Sequence, residues 1–235
     1  MSSALDGSSK GITFFQWMIL GTLTLTSTLY AMSMTIANIA LPQLQGALGA
    51  TQDQIAWTVT FNIVGTAIVT PMTGWLTLRF GQRRLMLCAI FGFAASSILC
   101  GQANALPELV IYRVFQGAFG GPLVPLSQAI ILGVFPRRLH SFATAVWGMG
   151  VVCGPIIGPT VGGYISEAYS WRWIFYIIAP FSLLAFLGAW LYVRNTTHNK
   201  LSKLDWTGFI SFSIAVTALQ LMLDRGNRLD WFDSN

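Results

Sequence analysis

Charged residues punctuate this chain at intervals close to the thickness of a lipid bilayer. From Gly11 to Gln52 there is no Asp, Glu, Lys or Arg. Later charge-poor gaps are close to the roughly 20 residues that a helix needs to cross a hydrocarbon core of about 30 Å. With 54% apolar and only 9% charged residues, against about 25% charged in soluble domains, the chain cannot clothe a solvated surface. In lipid the backbone must satisfy its own polar groups, and long apolar runs do so as helices. The expected fold class is therefore all-α, a polytopic membrane protein. Seven spans are predicted, at 14–36, 54–76, 85–103, 107–135, 141–165, 173–193 and 206–223, with a turn-rich segment over 42–49. Pro107 and Glu108 suit a helix start, a Pro at the first position and an acid in the first turn.

Basic residues collect on alternate connections, and short basic loops stay in the cytoplasm. Lys10, then Arg79, Arg83 and Arg84, then Arg137 and Arg138, then Arg194, Lys200 and Lys203 fall on one side. The other side has Arg172, Arg225 and Arg228, together with Asp53, Glu108, Glu167, Asp224, Asp230 and Asp233. The N-terminus is thus expected in the cytoplasm and residue 235 outside. Trp57, Trp171, Trp173, Trp206 and Trp231 fall near the predicted interfaces, where amphipathic rings belong. The apolar run after Lys10 lacks a small-residue cleavage site and continues too long for a signal peptide, so it reads as an uncleaved first span. The net charge of +5 resides in short loops, which argues against nucleic acid as a partner. The polar, basic stretch over 196–204 separates a six-helix unit, 1–195, from a further span and tail, 205–235.

Within the fifth span, GMGVVCGPIIGPTVGG repeats Gly150, Gly154, Gly158 and Gly162 every four residues. On a helix that spacing lines one face with bare backbone, the surface by which membrane helices approach closely. Pro155 and Pro159 each remove a main-chain donor, so the helix reads as bent.

Arg113 is the sharpest chemical signal, a charge inside the fourth span, where charges are expensive and usually functional. Gln116, Gly117 and Gly120 follow on the same face, with Ser127 and Gln128 beyond. A polar, open strip of this kind suits a water-filled or substrate-lined cavity. An arginine that snorkels to the interface or pins two helices is the alternative. No acid lies deep in any predicted span, so a proton carrier is expected at a span end such as Asp53 or Glu108, or outside this chain. Cys88, Cys100 and Cys153 lack ligand spacing and read as small packing residues, so no metal site is expected. His140 and His198 read as solvated loop residues. No nucleophile stands beside a base, and enzyme chemistry is not expected.

Four motifs, in order, resemble those of the major facilitator superfamily (MFS), and within it the fourteen-span drug:proton antiporters of the EmrB/QacA branch. TIANIALP over 35–42 is similar to the end of the branch's first span, and GWLTLRFGQRR over 74–84 to the loop between spans two and three. LVIYRVFQG over 109–117 is similar to the fourth-span motif whose Arg is tied to proton coupling. Residues 150–163 are similar to the antiporter motif of span five. WRWIF from Trp171, GPLVPLSQ from Gly121 and LQLMLDRGNRLDWF from Leu219 add to the likeness, which covers essentially the whole chain. Two positions depart from it: Ser33 stands where many relatives carry a membrane-embedded Asp, and Leu78 where the loop motif carries an acid.

The resemblance implies an MFS-type six-helix N-terminal bundle plus one further transmembrane helix, the N-terminal half of a longer transporter. It implies proton-coupled efflux of lipophilic drugs across a bacterial inner membrane by alternating access, without a cofactor beyond the proton gradient. Arg113, Gln116, Gly117, Asn38, Asn62 and Gln128 would form the substrate and proton pathway. Gly74, Arg79, Gly81, Arg83 and Arg84 would form a gating loop. Gly150, Gly154, Pro155, Gly158, Pro159, Gly162 and Gly163 would pack against the missing C-terminal half. A periplasmic adaptor protein and an outer-membrane channel are implied partners. A seven-span receptor or scaffold, or an uptake carrier of the same superfamily, stand as alternative functions.

Overall fold

The structure, a computed structural model, describes residues 12–194 and 205–226. Lys10, His198, the linker over 196–204, Arg228, Asp230, Trp231 and Asp233 lie outside them, as do the side chains of Asp224 and Arg225. Among the described residues every regular element is helical: α1 (Phe14–Ile39), α2 (Leu41–Leu48), α3 (Gln52–Val69), α4 (Thr73–Phe80), α5 (Gln82–Gln102), α6 (Leu106–Gly120), α7 (Leu123–Val134), α8 (His140–Ala168), α9 (Trp173–Tyr176), α10 (Ile178–Tyr192) and α11 (Trp206–Gly226), with a short 3-10 turn at Arg137–Leu139. Among the described residues six helical stretches are long and apolar enough to cross a membrane, and the bent pair α3 and α4 brings the number to seven when it is counted as one span.

The helix starts follow from local chemistry. Thr13 and Gln16 form a reciprocal capping box at α1, and Thr51 and Gln54 repeat it at α3, each satisfying two otherwise orphaned N–H groups. Pro107 occupies the first turn of α6, and the Glu108 carboxylate accepts from the Asn104 N–H at 3.0 Å.

Three predicted segments come out differently. The stretch after Ile39 is the helix α2, with Pro42 in its first turn and Gly49 closing it at φ +60°, the left-handed cap that Gly adopts without strain. The second span is not straight: it bends by 55° between Val69 and Thr73, around Pro71, which has no N–H to continue the ladder. The fourth span pauses between α6 and α7 at Gly121 and Pro122, and the sixth is α9 followed directly by α10.

The basic connections converge at one end of the bundle. The Arg194 guanidinium lies over the Phe15 ring at 5.0 Å, Arg83 Nη2 donates to the Trp190 carbonyl at 2.5 Å, and Gln16 Nε2 donates to the Val134 carbonyl at 3.4 Å. At the other end Arg172 donates to the Ala103 carbonyl at 3.1 Å and stacks on Trp171. Trp57, Trp173 and Trp206 are exposed as interface rings should be, whereas Trp171 is buried. His140 is not free in solvent: its ring nitrogen lies 2.8 Å from the Phe135 carbonyl. Of the cysteines, Cys100 is buried as packing would have it, but Cys88 and Cys153 are exposed.

The glycine face of α8 corrects the sequence reading most. Gly154, Gly158 and Gly162 are buried, and what they meet is α1 of the same bundle. A Cβ on Gly154 would stand 2.7 Å from the Thr28 carbonyl oxygen and 2.9 Å from the Met32 nitrogen, and one on Gly158 would stand 2.6 Å from Thr35 Oγ1. One on Gly162 would collide with Ile36. Thr28 Oγ1 also donates to the Gly150 carbonyl at 2.8 Å, and Trp147 Nε1 to Ser27 Oγ at 3.0 Å. This face is therefore filled from within and is not free for another half. α8 stays helical through both prolines, and Met149, Val152, Ile156 and Ile157 form its outward side.

Gly154→Ala is expected to force α1 and α8 apart and lower stability by about 1–3 kcal/mol. At Gly148 a Cβ meets nothing within 4 Å, so Gly148→Ala is expected to stay within about 0.5 kcal/mol of the parent. Thermal unfolding of the two variants in detergent checks this, and equal melting temperatures would contradict the backbone contact.

Candidate functional site

Two glycines set the distance between α3 and α6. A Cβ on Gly65 would strike the Val114 carbonyl, and one on Gly117 the Asn62 carbonyl, so the two helices touch backbone to backbone. Along this seam α3 presents Asn62, Thr66 and Thr70, four residues apart, to the carbonyls of Arg113, Gly117 and Gly121, also four apart. Asn62 Nδ2 donates to the Arg113 carbonyl at 2.9 Å. Thr66 Oγ1 stands 3.1 Å from the Gly117 carbonyl and Thr70 Oγ1 3.4 Å from the Gly121 carbonyl. Each threonine proton is shared with a carbonyl of its own helix, at 3.1 Å for Asn62 and 2.7 Å for Thr66. The last rung has a clear cause. Pro125 cannot donate to the Gly121 carbonyl four residues before it, and in lipid a hydroxyl from a neighbouring helix takes that place.

Arg113 is held by this seam and is 1% exposed. Its Nε donates to the Thr58 carbonyl at 3.2 Å and its Nη1 to Gln116 Oε1 at 2.6 Å. Gln116 Nε2 passes the chain to Ser97 Oγ at 2.7 Å, and Ser97 donates to the Phe93 carbonyl. The Phe175 ring faces the guanidinium at 5.4 Å, a cation–π contact that strengthens away from water. These partners are all neutral. Above them Tyr30 donates to Thr66 Oγ1 at 3.1 Å and its ring fills the notch left by Gly120. The strip that the sequence presents as an open cavity wall is therefore closed inside this bundle. Gly117 and Gly120 serve close packing rather than open space.

The structure brings Arg113, Gln116, Gly117 and Asn62 together and leaves two candidates apart. Asn38 is exposed near the end of α1, and Gln128 is exposed on α7; neither joins the hydrogen bonds around Arg113. Sequence reasoning passed over Ser97, Thr58, Phe175 and Tyr30. Only the four-residue spacing of Asn62, Thr66 and Thr70 carried a signal. One buried acceptor in the cluster, Asn62 Oδ1, has no protein partner.

Comparison with known proteins agrees with this architecture. The chain matches the Major Facilitator Superfamily over residues 23–228. It belongs to that family. It is 42% identical over 214 residues to the multidrug export protein EmrB of Haemophilus influenzae and 40% identical over 213 residues to that of Escherichia coli K12. These alignments cover 91% and 90% of this chain but 42% of each relative, so the chain spans about two fifths of the length of these relatives. The partially occluded, inward-open xylose transporter XylE of E. coli superposes with a TM-score of 0.71 at 18% identity, covering 92% of this chain and 61% of that one. That likeness shows the fold alone.

Seen as a member of this family, the chain is a multi-pass membrane protein, and its loop motif is mostly not a loop. Gly74 and Arg79 lie on α4, Arg83 and Arg84 on the first turn of α5, and only Gly81 breaks the run, at φ +86°. Arg83 turns inward to the end of α10, whereas Gly74, Arg79 and Arg84 are exposed.

The seam predicts an order of stabilities. Gln116→Leu strips a charged partner of its acceptor and is expected to cost the most. Thr66→Val removes one shared bond and is expected to cost about 1 kcal/mol. Thr24 Oγ1 is buried without a partner, so Thr24→Val is expected to be neutral or stabilising. Unfolding midpoints in detergent give the ranking, and Thr24→Val falling below Thr66→Val would refute it.

Proposed function

We propose that this chain is the N-terminal part of an exporter that moves lipophilic, drug-like compounds out across a bacterial inner membrane in exchange for protons. The observation that carries the reading is the 40–42% identity to multidrug export proteins over about nine tenths of the chain. The geometry supports it through Arg113, a buried cation whose partners are all neutral and which is therefore sensitive to any charge arriving beside it. In this reading residues 1–195 form one rocking unit, 196–204 a cytoplasmic linker, and 205–235 a further span with an external tail. The N-terminus lies in the cytoplasm, consistent with the six arginines of the described residues that gather at the end where α1 begins.

Arg113, Gln116 and Asn62 respond to the proton or substrate. Gly74, Arg79, Gly81, Arg83 and Arg84 form the cytoplasmic gate segment at the bend of span two. The outward side of α8, with Met149, Val152, Ile156 and Ile157, faces the second half across the substrate path. Alternating access then arises from rocking of two halves about a midplane site. No cofactor beyond the proton gradient takes part. A periplasmic adaptor and an outer-membrane channel complete the route where the cell has two membranes.

Dye accumulation in cells expressing the full-length gene tests the proposal. Expression is expected to lower accumulation, and Arg113→Ala to abolish that effect at an unchanged protein level. Gly133→Ala, at an exposed position where a Cβ meets nothing within 4 Å, is expected to export normally. Full export by Arg113→Ala would assign the arginine to packing alone.

A further inference from the structure

The stretch WRWIF over 171–175 has no part in the export reading, yet the structure seats it against both the entry of α6 and the arginine inside that helix. Residues 171–176 coil into α9, with the Phe175 N–H donating to the Arg172 carbonyl at 3.2 Å and the Ile177 N–H to the Trp173 carbonyl at 3.0 Å. Arg172, Phe175 and Tyr176 all turn toward α5 and α6. The Tyr176 ring fills the notch at Gly101 of α5, where a Cβ would stand 2.5 Å from Cε1. Arg172 Nη2 donates to the Ala103 carbonyl at 3.1 Å and to Asn104 Oδ1 at 3.4 Å, in the connection from α5 to α6. The same guanidinium lies 4.4 Å from the Trp171 ring. The Trp171 and Phe175 rings meet edge to face, 6.3 Å apart at 88°, and Phe175 faces the Arg113 guanidinium at 5.4 Å. Both rings are buried, and cation–π contacts are strongest where water is excluded. An aromatic pair thus stands between two guanidiniums, one at the end of the bundle and one inside it.

We propose that residues 171–176 are a positioning element for Arg113. The Phe175 ring face fixes where the guanidinium sits between Thr58 and Gln116, and Arg172, through Trp171, ties that ring to the connection between α5 and α6. Ring orientation carries the link. An aromatic ring is negative on its face and positive at its edge, so turning Phe175 exchanges an attraction for a repulsion at Arg113. The perpendicular Trp171 ring limits that turn, and Arg172 fixes Trp171 in its place. The Glu108 carboxylate holds the far side of the connection by accepting from the Asn104 N–H at 3.0 Å. A displacement of this connection therefore reaches the buried arginine through side chains of α9 as well as along α6. The transport step of the proposal rests on the export reading, whereas the link between the two arginines does not.

The experiment uses the full-length protein with isotope-labelled arginine in phosphatidylcholine nanodiscs, where the Arg113 Nε–H resonance is identified by its loss in Arg113→Lys. The ring current of Phe175 is expected to place this resonance upfield, and Phe175→Leu to return it toward that of a free guanidinium. Arg172→Gln, at the other end of the link, is expected to move the same resonance, and Arg172→Lys to move it less. Tyr169→Leu, at an exposed position just before the stretch, is expected to leave it in place. Phenylalanine analogues with one, two or three ring fluorines keep the shape of Phe175 and drain its face stepwise. Across that series the resonance is expected to shift in steps, and the maximal rate of dye export in proteoliposomes to fall by about threefold or more in total. The KM for dye is expected to stay within about twofold, because the buried ring does not touch substrate. A packing role alone would leave the rate flat across the series, and that result overturns the positioning role. An Arg113 resonance indifferent to Phe175→Leu refutes the ring contact, and one indifferent to Arg172→Gln refutes the link to the outer connection. Where Phe175→Leu fails to fold, the fluorinated rings give the same resonance test. A parent protein that exports no dye counts against the export reading alone, and the resonance still decides the link.

Discussion

The backbone contact between α3 and α6 is the constraint from which the rest of the bundle follows. Gly65 and Gly117 bring the two helices together until a single Cβ on either would strike a carbonyl. At that separation Asn62, Thr66 and Thr70 are long enough to reach across, and Arg113 is short of any route to water. The arginine is gripped by α3 at both its carbonyl, through Asn62, and its guanidinium, through Thr58. A buried charge costs several kcal/mol unless it is compensated, and here a carbonyl, an amide oxygen and an aromatic face offset part of that cost. Widening the seam by one methyl group would loosen all of these contacts together, so the glycines and the arginine act as one unit.

A second seam, between α1 and α8, repeats the principle with different residues. Bare backbone at Gly154 and Gly158 lets α1 settle into α8, and Thr28 and Ser27 supply the polar contacts. Lipid tails are as apolar as leucine, so burying apolar area gives membrane helices little reason to associate, and close packing with a few hydrogen bonds must serve instead. Both seams place small residues at four-residue spacing on one helix against hydroxyl-bearing residues on the other. Tyr30 links them: it stands on α1, donates to Thr66 of α3 and fills the notch at Gly120 of α6.

Much of this was legible in the sequence, and what was not has a physical reason. Charge spacing gives the spans because desolvation of a charge is local and needs no neighbour to be known. Pro107 with Glu108 marks a helix start for the same reason. The four-residue glycine repeat identifies a face, but a face does not name its partner, and α1 rather than a second half proved to occupy it. Arg113 and Gln116 read as an open strip because periodicity reports that polar groups share a side, not whether another helix covers them. The closing residues, Ser97 on α5 and Phe175 on α9, are single positions with no pattern of their own. The bend at Pro71 was not read from the sequence, where 54–76 stands as one span, and its size of 55° depends on how α4 then packs on α5.

The neutrality of the groups around Arg113 has a mechanistic consequence within the proposed export reading. An arginine tied to an aspartate already has its field cancelled, and a second anion arriving nearby gains little. Here Ser33 occupies the position where an acid is common in the first-span motif, and the field of Arg113 is softened only by dipoles and a ring. Dipoles fixed by the α3 seam cannot reorient as freely as water, so the positive potential in this part of the bundle persists. A negative group entering from the facing half, whether on a substrate or on a carboxylate that has just released its proton, would be drawn toward that potential. Protonating the group would remove the attraction. An uncompensated cation can in this way bias which half-closed arrangement is favoured without itself gaining or losing a proton, and the protonation step then belongs to whatever acid approaches it.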